Sequence, residues 1–144
     1  MIIDNLEITG ALQISLNNEI VHQCDNLVVT AGKNWVAGRF KDGSIPDEMS
    51  HMAIGSADTA AAAGNTALAT ELSRIALTTD GGTVSSNTVQ YDASWTSATG
   101  AFAIKEAGIF NAASSGTMLA RTVFAIINKG TDDTVSISWT ITVS

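Results

Sequence analysis

The chain has one cysteine, one proline, two histidines and few aromatic rings, three Trp, four Phe and one Tyr in 144 residues. With Cys24 alone, no intrachain disulfide can form, so folding in a reducing compartment is expected and the thiol reads as packed rather than nucleophilic. His22 and Cys24 share one parity of an expected strand, but two ligands are too few for zinc. His51 is remote, and no C-x-x-C or H-E-x-x-H spacing exists, so no metal is expected. No apolar run approaches the roughly 20 residues of a membrane helix. The start MIIDNLEITG lacks the basic, apolar and small-residue regions of a signal peptide. Charge is sparse at 15 % of residues and mostly negative, with 7 Lys and Arg against 14 Asp and Glu and a net charge of −7. The cations are scattered, so neither nucleic acid nor an anionic membrane is an expected partner.

What remains is aliphatic residues, Ala, Gly, Ser and Thr in strand-like order, and a length suited to one domain over residues 1–144 that buries a core without disulfides or metal. In TVSISWTITV, Val135, Ile137, Trp139, Ile141 and Val143 alternate with Ser and Thr, the period of a strand with one buried face. Leu6, Ile8, Leu12, Ile14 and Leu16 share one parity, with Gly10 in the remaining place as a possible bulge. Asn17-Asn18 suits a tight turn into a second strand through Cys24.

In TAGKNWVAGRF the pattern changes. Thr30 is positioned to cap a helix over 31–40 with Trp35, Val36 and Phe40 toward one face, and Asp42 to Pro46 breaks it. Met52 to Gly55 is a short apolar piece, and Thr59 to Thr70 is an Ala-rich loop that a partner could order. Further strands are expected at 73–79, 88–95, 101–105 and 117–128, with Val123 to Ile127 either covered on both faces or lining an oligomer contact. Seven or eight strands with short turns and one short helix predict an all-β, antiparallel, jelly-roll-like sandwich.

Catalytic patterns are missing. No Ser lies in G-x-S-x-G, and Gly55 to Gly64 is followed by no Gly-Lys-Ser/Thr phosphate loop. Asp47-Glu48 and Asp132-Asp133 fall in expected loops with no aromatic platform, so they read as solvated charges. Glu106 differs, because it lies between the apolar pieces Phe102-Ala103-Ile104 and Ile109-Phe110. A buried carboxylate needs a partner, and Arg74 and Arg121 are the cations in comparably apolar strands. A structural ion pair with at least one of them is expected in preference to catalysis, within a strand, a bend at 106–110 opened by Gly108, a turn at 111–116 and a returning strand that puts Arg121 close enough to Glu106 to pair.

The blocks HMAIGSADTAAAAGNTALATELSR and IKEAGIFNAASSGTMLARTVF resemble a pattern of tailed-bacteriophage virion proteins. In that pattern Met-Ala-x-Gly, here Met52, Ala53 and Gly55, precedes a small-residue loop ending in Thr-x-Leu-x-x-Glu and an Arg, here Thr66, Leu68, Glu71 and Arg74. Glu-x-Gly-Phe/Leu-Phe follows at Glu106, Gly108, Ile109 and Phe110, with Ile in the Phe/Leu place. A hairpin glycine at Gly116 and Leu-Ala-Arg at Leu119, Ala120 and Arg121 complete it. With looser pieces the resemblance covers about residues 27–141.

Such blocks occur in N-terminal attachment modules of tail-fibre and tail-collar proteins and in small capsid decoration (cement) proteins. Since no shaft or receptor tip follows Ser144, the resemblance implies the decoration type, with a tail or tail-fibre adaptor as the alternative. It implies a non-enzymatic virion protein made in the host cytoplasm and bound to the capsid surface. Its partners would be the major capsid protein and copies of itself, as a homotrimer, with no cofactor. Candidate contacts are an N-terminal arm at 1–5 bearing Ile2 and Ile3, and the loop residues Ala60, Ala61, Ala62 and Ala63.

Overall fold

The computed structural model describes residues 2, 4–41 and 43–144. Among these residues ten strands form two antiparallel five-stranded sheets, in the chain order β1 (Ile8–Leu16), β2 (Glu19–Asp25), β3 (Leu27–Val28), β4 (His51–Gly55), β5 (Glu71–Ala76), β6 (Thr83–Ser85), β7 (Thr88–Trp95), β8 (Phe102–Phe110), β9 (Met118–Lys129) and β10 (Val135–Val143). The first sheet runs β2-β1-β10-β7-β6 and the second β3-β9-β8-β4-β5. A helix, α1 (Thr30–Arg39), follows β3, so the architecture is an all-β sandwich with one short helix.

The alternation of β10 does what its period requires. Val135, Ile137, Trp139 and Ile141 are buried, while Ser136, Ser138, Thr140 and Thr142 stand on the outer face. They meet Met52, Ile54, Ile104, Ile109 and Phe124 from the second sheet in one core. Fully burying each such aliphatic or Phe side chain contributes about 1.5–3 kcal/mol. Trp139 and Trp95 are fully buried, and their indole N–H groups donate to Asn26 Oδ1 (2.6 Å) and Ser73 Oγ (3.1 Å), so neither donor is stranded. Asn17 and Asn18 have φ of 52° and 68°, the left-handed pair of a two-residue hairpin turn that Asn tolerates best among residues with a side chain.

Several expectations change. The hairpin β6 and the short β3 bring the count to ten, and β1 starts at Ile8, leaving Leu6 exposed. Thr30 is the first helical residue and gives no side-chain cap. Val29 occupies the capping position, and the Thr30 N–H is satisfied by the Ala63 carbonyl at 2.8 Å. Phe40 ends α1 and is 79 % exposed rather than facing the core with Trp35 and Val36. In β9, Phe124 and Ile127 are buried but Ala125 and Ile126 are exposed, so Val123 to Ile127 is covered on one face, not both. The bend at 106–110 does not form. β8 continues to Phe110, accommodated by register shifts at Ile104/Glu106 and Ile109/Phe110.

Candidate functional site

The second sheet is buried on both faces over part of its width. Every residue of β4 from Met52 to Gly55, of β8 from Glu106 to Phe110 and of β9 from Met118 to Thr122 is buried. The inner face joins the main core. The outer face carries a second, smaller cluster of Val29, Ala53, Leu68, Phe110 and Met118. Its lid is the β4–β5 connection, residues 56–70, which has no helix or strand of its own.

Register explains how charge comes to lie beneath that lid. Arg74, Ala53, Gly108 and Arg121 form one cross-strand row over β5, β4, β8 and β9, and Glu106 faces Gly55 two positions along, on the same face. Arg121 reaches Glu106 Oε2 from Nη2 (2.8 Å) and Nε (3.1 Å), with both side chains almost wholly out of solvent. A pair buried this deeply survives only with its remaining hydrogen-bond capacity filled. The loop fills it. Thr70 N–H donates to Glu106 Oε1 (2.7 Å) and Ala69 N–H to Oε2 (3.0 Å), with Ala57 N–H at 3.4 Å. Arg121 in turn donates to the Thr59 carbonyl (2.9 Å) and to Asn65 Oδ1 (3.1 Å). One ion pair thus holds both ends and the middle of the loop.

Burial alone would raise the Glu106 pKa. Hydrogen bonds from the Thr70 N–H, the Arg121 guanidinium and the Ala69 N–H, with the Arg121 charge, outweigh it and hold the carboxyl below its ordinary 4.5. Two glycines make the latch fit. A Cβ at Gly55 would strike the Glu106 carboxylate and the Thr70 carbonyl, and one at Gly108 would press on Leu68 (3.0 Å), Phe110 (3.1 Å) and Met118 (3.2 Å). Gly108 is therefore required by packing, not by a special backbone angle, since its φ is not positive.

Arg74 lies in the same row but takes a different partner. It pairs with Glu71 (2.6 Å), stacks over the Phe110 ring at 3.7 Å and donates to the carbonyls of Ala112 and Ser115, tying β5 to the β8–β9 turn. Ala60, Ala62 and Ala63 are exposed and Ala61 half-buried on the loop, whose residues Thr59, Asn65, Ala69 and Thr70 bond to the ion pair. Ile2 is 96 % exposed, and Ile3 lies outside the described residues.

His22 packs against the Phe124 ring at 5.6 Å, and Cys24 Sγ sits 3.6 Å from Thr122 Oγ1. Burial pushes the thiol pKa upward, away from a reactive thiolate. Among the described residues no three His, Cys, Asp or Glu side chains gather as a metal site requires. Asp133 is a turn residue that accepts from Asn17 Nδ2 (2.8 Å) and Gly130 N–H (2.7 Å). The residues missed from sequence are Asn65, Leu68, Ala69 and Thr70. Only Leu68, a lone bulky residue in an Ala-rich stretch, hinted that the loop had something to bury. Compared with known proteins, the chain matches no family model, no curated sequence and no solved structure.

Proposed function

We propose that the chain is a capsid decoration protein of a tailed bacteriophage. It would assemble as a homotrimer on the outer surface of the shell, bind the major capsid protein and stabilise contacts between capsomers, having been made in the host cytoplasm. The mechanism is added buried area, not bond chemistry. Binding that favours the assembled shell stabilises it by mass action, about 2.7 kcal/mol per site at a hundredfold excess over Kd.

The observation that carries this reading is the latched loop. Among the described residues the most deeply buried ion pair bonds to the loop that carries the small residues Ala60 to Ala63. Small side chains allow close backbone approach to a flat protein surface, and preorganisation removes the ordering cost of binding. The resemblance of residues 51–74 and 104–124 to virion proteins supports the same reading, because it falls on the latch residues Gly55, Glu106 and Arg121.

The test is the copy number of the chain in purified virions, measured by quantitative mass spectrometry against the major capsid protein. Abundance close to that of the capsid protein is expected. A small fraction would favour a tail or tail-fibre adaptor, and absence would overturn the virion reading.

A further inference from the structure

Exposed apolar side chains gather along α1. Phe40 (79 % exposed), Val84 (72 %), Leu6 (65 %) and Val143 (39 %) rim a largely apolar groove of about 390 Å³. The groove continues past Leu6 and Phe40 into a second hollow of about 430 Å³ whose wall carries Lys33, with Glu7 also lining it.

The charge around this groove is unlike the rest of the chain. Of the seven cations, Arg74, Lys105 and Arg121 are paired with carboxylates, and Lys129 is buried against the carbonyls of Gly100 and Gly130. The other three, Lys33, Arg39 and Lys41, all belong to α1 or the residues just after it. Among the described residues none of the three has a carboxylate partner. Arg39 lies over the Trp35 ring at 5.7 Å and donates to the Pro46 carbonyl. Two of these cations line the hollows, Arg39 the first and Lys33 the second, alongside Glu7 in the second and Glu48 against Gly81 in the first.

The same chain carries a segment of complementary chemistry. Ile2, Asp4, Leu6 and Glu7 mix apolar and acidic residues, and paired backbone bonds between Glu7 and Ser144 (2.7 and 2.9 Å) fix the base of the segment at the groove. Leu6 lines the groove of its own chain, whereas Ile2, 96 % exposed, lies outside it.

We infer that the α1 groove of one copy receives the N-terminal segment of a second copy, with Ile2 entering beside Phe40 and Val84 and Asp4 directed to Lys33. The contact buries on each copy what is otherwise exposed, and it sets acidic charge against the cationic surface instead of against more acid. Each copy gives one arm and receives another, an exchange that a closed ring such as a trimer satisfies at every copy. The inference rests on the self-association half of the proposed function and is independent of the capsid half.

The experiment uses single-cysteine variants of the full chain on a Cys24→Ser background. Ile2→Cys protein is mixed with Val84→Cys protein of a different tag mass under mild oxidation, while light scattering reports the oligomer. A mixed disulfide-linked pair is expected for this combination. It should be absent when Val21→Cys, an exposed position near the other end of β1, replaces Val84→Cys. Lys33→Glu should weaken association several-fold, and Asp4→Lys on that background should restore it. An oligomer whose Ile2–Val84 linkage does not exceed the Ile2–Val21 control overturns the arm exchange and leaves self-association standing. A monomer at every concentration overturns both.

Discussion

The two sheets solve the problem of their outer faces in different ways. The first sheet presents Ser136, Ser138, Thr140 and Thr142 on β10 and Gln90, Asp92 and Ser94 on β7, polar groups several of which bond one another, Ser94 with Ser136 and both Ser138 and Gln90 with Asp92. The second sheet presents Ala53, Phe110 and Met118 with Glu106 and Arg121 among them, and covers them with a loop that supplies backbone hydrogen bonds to the charges. A one-sided sheet needs only alternation. A two-sided one needs a lid, and here the lid is held electrostatically.

Removing the cation should have the largest effect on this contrast. Arg121→Ala strands Glu106 in a dry site and is expected to cost about 3–5 kcal/mol in urea denaturation. The double variant Glu106→Leu/Arg121→Leu should recover much of that stability, because an apolar pair of similar volume tolerates burial. Its loop should stay released, since Ala69 and Thr70 have lost their acceptor, so hydrogen exchange at 56–70 should rise in both variants. Protection retained in the double variant would show that apolar packing through Leu68, and not the ion pair, holds the lid.

A smaller effect should follow from overfilling the lid. Gly108→Ala is expected to cost about 1–3 kcal/mol by pressing on Leu68 and Met118, while Gly64→Ala, with nothing within 4 Å of its Cβ, should leave stability nearly unchanged.

Acid should act on the second sheet by the same route. The folded Glu106 pKa lies below 4.5, so its contribution is complete above about pH 4.5 and is lost as the pH falls through the folded value. Proteolytic cleavage within 56–70 should therefore increase in acid before the first sheet opens. Equal acid sensitivity in the Glu106→Leu/Arg121→Leu variant would assign the effect to other carboxylates. The smallest effect is expected on the first sheet's outer face, where Thr140→Ala should change stability by no more than about 0.5 kcal/mol.

Sequence reading reached the sheets unequally for the same reason. β10, β7 and the β1–β2 turn were legible because period two and the Asn17-Asn18 turn act between neighbours in the chain. β3 and β6 were not. Strands of two and three residues carry too few side chains for a period, and they exist because partners at Ala120–Arg121 and Thr88–Gln90 hold them. The site was half visible. Glu106 stood out as a carboxylate among apolar residues, and both arginines were candidates, with the hairpin reading placing Arg121 close enough to pair. The choice between them depended on which cation reaches the carboxylate across the sheet: Arg121 does, while Arg74 is held by Glu71, three residues away in sequence.

The amino-acid sequence alone determined the all-β class, the single buried face of β10 and the need for a partner at Glu106, since each follows from local periodicity or from the cost of burying a charge. Only the tertiary structure decided that Arg74 is taken by Glu71 and leaves Arg121 as that partner, that residues 56–70 close over the pair, and that Gly55 and Gly108 are glycines for want of space. The bonds of the pair join residues 15 to 62 positions apart, and cross-strand register rather than chain order brings them together.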